Sequence, residues 1–155
     1  MGNRAVITNY VMEDETEEHF EQTKNERVGI YVHWNGGRES IEAFLKYCEL
    51  RGFRPTDEDN YGWARLCQVI ANFFEKDGLS IGIDTCSNLD CDNWDNGVYL
   101  IGDWKIKDRL YFDAEEKSIS QSELAKAIIE IDKSQPYEQQ IGKEGIMKLA
   151  MKGEL

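Results

Sequence analysis

Val28-Gly29-Ile30-Tyr31-Val32-His33-Trp34 runs into Asn35-Gly36-Gly37 and then into a segment where Ile41, Phe44, Leu45 and Cys48 recur. The first seven residues are mostly β-branched or aromatic, types that fit a pleated surface, and Asn-Gly-Gly punctuates them. The second segment follows the i, i+3, i+4, i+7 stripe of a helix burying one face, and Gly52 supplies its stop. A strand that hands over to an amphipathic helix through a glycine turn sets the fold class.

Reading outward keeps that alternation. Pro55 and the run Thr56-Asp57-Glu58-Asp59-Asn60 break the chain, with Thr56 or Asp57 as N-cap of a second helix. That helix carries Trp63, Leu66, Cys67, Ile70, Phe73 and Phe74 on one side and ends at Asp77-Gly78. Both stripes are expected to face one core. Upstream, Ala5-Val6-Ile7 is β-prone. Glu13 to Glu26 is acid-rich with Phe20 as its one anchor, and it reads as an exposed loop or mobile hairpin tip. Downstream, residues 79–84, 98–101 and 106–112 read as strands, the last two joined through the hairpin signal Gly102-Asp103. Ser120 or Ser122 caps a helix carrying Leu124, Ile128, Ile129 and Ile131, Pro136 interrupts it, and Ile141 to Met151 forms a last helix. The order predicts an α+β fold: an antiparallel sheet of about five strands with helices packed on it and a C-terminal helical segment. Residues 1–155 are expected to form a single domain, with a 1–113 core, an acidic insert at 13–26 and a helical extension at 114–155.

Charge is the second strong signal. The chain carries a formal net charge of −12, and residues 1–26 and 79–104 contribute −5 each. Two acidic stretches on a nearly balanced scaffold repel nucleic acid and attract a basic protein surface. Direct nucleic-acid binding is not expected. Hydrophobic content of 41% excludes a wholly disordered chain. Met1-Gly2-Asn3-Arg4 lacks the apolar core of a signal peptide, and no apolar run is long enough to span a membrane, so the expected location is cytoplasmic.

Four segments are candidates for chemistry. The acidic set Asp84, Asp90, Asp92 and Asp95, with Asp57, Glu58 and Asp59, is the candidate partner-binding surface. Asp92 to Asp103 has the length of a calcium loop, but Trp94 stands at the third ligand position and excludes a standard site. His33, Asn35, Gly36, Gly37 and Arg38 form the alternative ligand site, where backbone N–H groups and a guanidinium could converge on an anion. Tyr61 and Arg65 fall off their helix's apolar stripe and join that alternative set. The plain reading of Asn35-Gly36-Gly37 is a turn before a helix.

Cys48 and Cys67 lie on apolar stripes and are expected buried, while Cys86 and Cys91 sit in an Asp/Asn-rich loop and are expected exposed, all as free thiols. No metal or cofactor is expected, because the spacing of cysteines and histidines fits no zinc site. No nucleophile and base stand close in sequence, so the expectation is a binding protein rather than an enzyme.

Ile30-Tyr31-Val32-His33-Trp34-Asn35-Gly36-Gly37-Arg38, Asn60 to Ile70 and Asp92-Asn93-Trp94-Asp95-Asn96-Gly97-Val98-Tyr99 carry a resemblance. From Met1 to about Phe112 the chain resembles small acidic proteins of bacterial phages, plasmids and conjugative elements. Such proteins often counter host defences, some by imitating DNA. The resemblance implies the cytoplasm of a bacterial host and a nucleic-acid-binding host protein as partner. The expected function is then inhibition of a host defence nuclease, as anti-CRISPR or antirestriction protein, by carboxylates presented to its basic groove. The alternative is a small-ligand or nucleotide-signal binding protein using the 35–38 turn.

Overall fold

The computed structural model describes residues 2–75 and 80–155. The fold is α+β, with a five-stranded, mostly antiparallel mixed sheet and five α-helices among the described residues. The chain divides into two compact units, Met1–Gly37 with Leu79–Glu115 and Arg38–Gly78 with Glu116–Leu155. Residues 116–155 thus share a unit with the two central helices.

The first unit holds the sheet. Its strands are β1 (Ala5–Asn9), β2 (Val28–Val32), β3 (Ile81–Thr85), β4 (Val98–Gly102) and β5 (Lys105–Leu110), in spatial order β3-β2-β1-β4-β5. Ala5 to Thr8 and all of β4 are buried, and both strands lie inside the sheet, away from its edges. β3 and β5 are edges and keep polar positions. The expected antiparallel sheet is corrected at one pairing: β1 runs parallel to β4, Val6 opposite Val98. Hydrophobic alternation reports which face a residue occupies, but not the direction of its neighbour. The hairpin signal after β4 holds, with Asp103 and Trp104 both at positive φ, as a two-residue turn of the favoured hand requires.

The acidic insert at 13–26 is corrected more heavily. It contains α1 (Glu17–Thr23), followed by a 3₁₀ turn at Lys24–Glu26. Thr16 caps α1, its hydroxyl accepting from the His19 N–H at 3.1 Å. Phe20 is fully buried in a cluster with Val6, Val98, Leu100 and Leu110 on one sheet face. Glu15 and Arg27 form a buried ion pair that Thr23 and His19 extend. One apolar anchor shows no periodicity, so the helix left no stripe to read.

The second unit contains α2 (Arg38–Leu50), α3 (Asn60–Phe74), α4 (Gln121–Ser134) and α5 (Lys143–Met151). The α2 stripe is buried as expected, at Ile41, Phe44, Leu45 and Cys48. The α3 stripe is rotated: Gly62, Leu66, Val69, Ile70 and Phe74 are buried, while Trp63, Cys67 and Phe73 are half-buried. Asp59, not Thr56 or Asp57, caps α3, accepting from the Tyr61 N–H at 3.0 Å. The expected stop at Asp77-Gly78 lies outside the described residues. Ser120 caps α4 as expected. Buried Asp132 of α4 accepts from the Tyr47 hydroxyl at 2.7 Å and from the N–H groups of Ile141 and Gly142, so it joins three elements and serves the start of α5. Burial and that bond raise the Tyr47 hydroxyl above its ordinary pKa.

The thiol expectations divide. Cys48 is buried and burial raises its pKa, but Cys86 and Cys91 are buried too, which corrects their assignment to an exposed loop. A 3₁₀ turn at Cys86–Asn88 folds both under the sheet, where the Cys91 thiol lies 3.5 Å from the Cys86 carbonyl. The neighbouring Cys91 thiol lowers Cys86, and Cys91 is raised in turn by Cys86 and by burial. All four cysteines are free. Among the described residues, no helix is long and apolar enough to cross a membrane.

Candidate functional site

The loop between β3 and β4 is organised by one side chain. Asn93 is fully buried, and its amide NH₂ donates to the carbonyls of Asp90 at 2.9 Å and Gly97 at 3.2 Å. Its Oδ1 accepts from the N–H groups of Asp95 at 3.1 Å and Gly97 at 3.0 Å. Four bonds from a single amide close the 90–97 loop on itself, an Asx-type turn built into the interior. Arg4 locks it from outside: its N–H and Nε both donate to Asp95 Oδ2, at 3.0 and 2.7 Å, and its guanidinium reaches Asp90 at 3.3 Å. The Arg4 guanidinium holds the Asp95 carboxyl below the usual carboxylate range.

This clamp fixes Trp94 at φ 64 with 92% of its surface exposed. A non-glycine residue in that region costs about 1–2 kcal/mol, so the rest of the loop must hold it there. Tyr111, at φ 56, is the second such residue beside it. Between them opens a cleft of about 430 Å³, walled by Glu17, Asp92, Asp95 and Asp113 and by the rings of Trp94, Tyr111 and Phe112. Glu17, first residue of α1, accepts from the Tyr111 N–H at 2.9 Å and so ties the helix to the end of β5. Arg109 lies 3.8 Å from the ring centres of both Tyr99 and Phe112, which holds the Phe112 wall. Burial and the Glu21 carboxylate raise the Tyr111 hydroxyl. Asp92 and Asp113 are exposed. Carboxylates and aromatic faces in one cleft suit a cation with an apolar stem, such as arginine or lysine.

The candidate acids are therefore not equivalent. Asp92 and Asp95 line the cleft, and Asp90 stands on its Arg4 side. Asp84 is on the β3 edge, where its carboxylate accepts from Thr85 N–H at 2.7 Å and from Asn88 at 3.2 Å. Asp57, Glu58 and Asp59 belong to the second unit, and Asp59 pairs with Arg54 at 3.1 Å while capping α3.

The alternative set is divided between the units. In the first, the His33 Nδ1 meets the Tyr31 hydroxyl at 2.9 Å, and Asn35 adopts φ 59. The Gly36 N–H donates to Asn3 O at 2.8 Å, and its carbonyl accepts from the Tyr99 hydroxyl at 2.6 Å. A Cβ at Gly36 would stand 2.4 Å from Asn3 O, so glycine there answers a close backbone approach. Gly37 follows in the same turn. Arg38 starts α2 in the second unit and pairs with Glu42 at 2.7 Å and with Glu116. Tyr61 and Arg65 meet each other in a separate pocket with Phe53 and Arg54.

Glu17, Trp94, Tyr111, Phe112 and Asp113 are cleft residues that no motif in the sequence marks. A tryptophan inside an Asp/Asn-rich loop was the available signal, since such a ring has no stripe to join. Among the described residues, no group of three or more His, Cys, Asp or Glu side chains is placed to hold a metal ion. Comparison of the chain with known protein families, with curated proteins and with solved structures gave no match.

Proposed function

We propose that the protein is a binding module whose acidic, aromatic cleft receives basic side chains from a nucleic-acid-binding protein of a bacterial host. The observation that carries this reading is Trp94, held at positive φ and almost fully exposed beside Asp92 and Asp113. Exposed tryptophans on rigid loops make strong interface anchors, because they bury much area at small entropic cost. The carboxylates supply direction and rate: attraction at a distance steers a basic partner, and salt weakens it.

Asp92, Asp113 and Glu17 take the place that phosphates hold on a basic groove, where duplex DNA offers about one charge per 1.7 Å of axis. The resemblance to mobile-element proteins supports a defence nuclease as that partner, and with it an anti-CRISPR or antirestriction role. The test is phage plating on hosts that carry a CRISPR or restriction system and express this protein. Plating should rise with the wild-type chain and fall back with Asp92→Lys/Trp94→Ala. Equal plating with and without the protein across both kinds of host defeats the defence role.

A further inference from the structure

Outside the acidic cleft, the second unit gathers arginine where the chain is otherwise acidic. Three of the seven arginines, Arg51, Arg54 and Arg65, lie within fifteen residues around Phe53 and Tyr61. The others are engaged elsewhere: Arg4, Arg27 and Arg38 with carboxylates, and Arg109 between two rings. Arg51 and Arg65 stand 5.5 and 5.9 Å from the Phe53 ring centre, and Arg54 stands 5.0 Å from that of Tyr61. Gly52, Phe53, Arg54, Tyr61 and Arg65 line an open pocket of about 250 Å³.

The pocket is built by two local features. Gly62 sits in the first turn of α3, where a Cβ would come 2.6 Å from Pro55 C, so its absence lets the Arg54-Pro55 backbone lie against the helix. That approach brings Arg54 over one face of Tyr61 and leaves the ring 57% exposed. Asp59 then takes Arg54 Nε with one oxygen and the Tyr61 N–H with the other, which orients the guanidinium. Arg65 is exposed and bonds only weakly to Gln68, at 3.5 Å; no carboxylate among the described residues pairs with it. Two guanidiniums beside two aromatic rings form a fork for a phosphate next to a stacking surface.

We infer that the Phe53–Arg54–Tyr61–Arg65 pocket binds a small aromatic phosphate: the phosphate lies between Arg54 and Arg65, and the ring lies against Tyr61. The volume suits one ring with one phosphate group. A nucleoside monophosphate and a phosphorylated aromatic side chain share that chemistry. Titration of the full chain with AMP and with phenyl phosphate, followed by amide and side-chain NMR shifts, distinguishes the two sources. Inorganic phosphate and adenosine serve as the half-ligands.

At least one of the two aromatic phosphates should saturate shifts at Tyr61 and Arg65 and bind about tenfold more tightly than either half-ligand. Arg65→Gln and Tyr61→Ala should each weaken that binding about tenfold. Both residues are exposed, so both variants should fold, and their melting curves check this. Saturation by phosphate or adenosine alone at equal strength overturns the proposal. So does the absence of saturable shifts with both aromatic phosphates, or affinity that neither substitution changes.

Discussion

The two acidic stretches, 1–26 and 79–104, carry the same charge of −5 but use it in opposite ways. In the first, Glu15 is buried on Arg27, Glu21 pairs with Lys24, and the helix hangs on Phe20. In the second, Asn93 and Arg4 tie the loop so that Asp92 and Trp94 face outward. The first stretch even lends Arg4 to neutralise part of the second. Net charge in a sequence window counts ions, whereas a partner meets only those that internal cations have left over. Of the second stretch, Asp92 is the acid most fully presented at the cleft.

Breaking the first stretch should cost the most. Phe20→Ala removes a fully buried ring and should destabilise by about 3–5 kcal/mol in chemical denaturation. Arg27→Ala should cost a similar amount, about 3–5 kcal/mol, because buried Glu15 loses its guanidinium and keeps only the partly exposed His19 beside it. A loss below about 1 kcal/mol in both would mean that this helix is not part of the folded unit.

The second stretch should be less costly to break and more costly to function. Asn93→Ala strands backbone groups that its amide serves and should cost about 2–3 kcal/mol. Asp92→Lys, exposed and bearing no core contact, should stay within about 0.5 kcal/mol. Asp95 sharpens the contrast through pH. Its folded pKa is depressed by Arg4, so its contribution is full above the unfolded carboxylate value near 3.8 and is lost as pH falls through the lower, folded value. Protection of the amides in residues 90–97, measured against their intrinsic exchange rates, should fall in that acid range, and Asp95→Asn should remove the pH dependence.

Thiol labelling gives the smallest effect. Cys67 is half-buried and should react first in the native protein, while Cys48, Cys86 and Cys91 should wait for unfolding. Cys86 is fully buried, which denies a reagent access to its thiol. Fast native labelling of Cys86 would contradict the packing of its turn.

What could be read from the chain was whatever repeats. The α2 stripe, the alternation of β strands and the Gly102-Asp103 hairpin each spread their signal over several residues. α1 was illegible because one phenylalanine does its packing, and the parallel β1–β4 pairing because alternation carries no direction. Within the site, Asp92 and Asp95 were legible from charge alone. Glu17, Tyr111, Phe112 and Asp113 were not, since they reach the cleft from segments far from the loop. The Gly36 turn looked like an anion cradle, yet its N–H is held by Asn3, a use that only long-range packing decides.

The proposed function requires that charge act at the cleft and not merely over the whole surface. Calorimetric titration with a ten-residue arginine peptide, at low and at moderate salt, tests it through two variants of equal charge change. Asp92→Lys/Asp113→Lys alters the cleft, and Glu58→Lys/Glu138→Lys alters exposed acids of the other unit. Saturable, salt-sensitive binding is expected, which the cleft variant loses by tenfold or more and the control variant retains within about twofold. Equal losses in the two variants would show that net charge alone attracts the peptide, and would contradict the assignment of the cleft as the binding site.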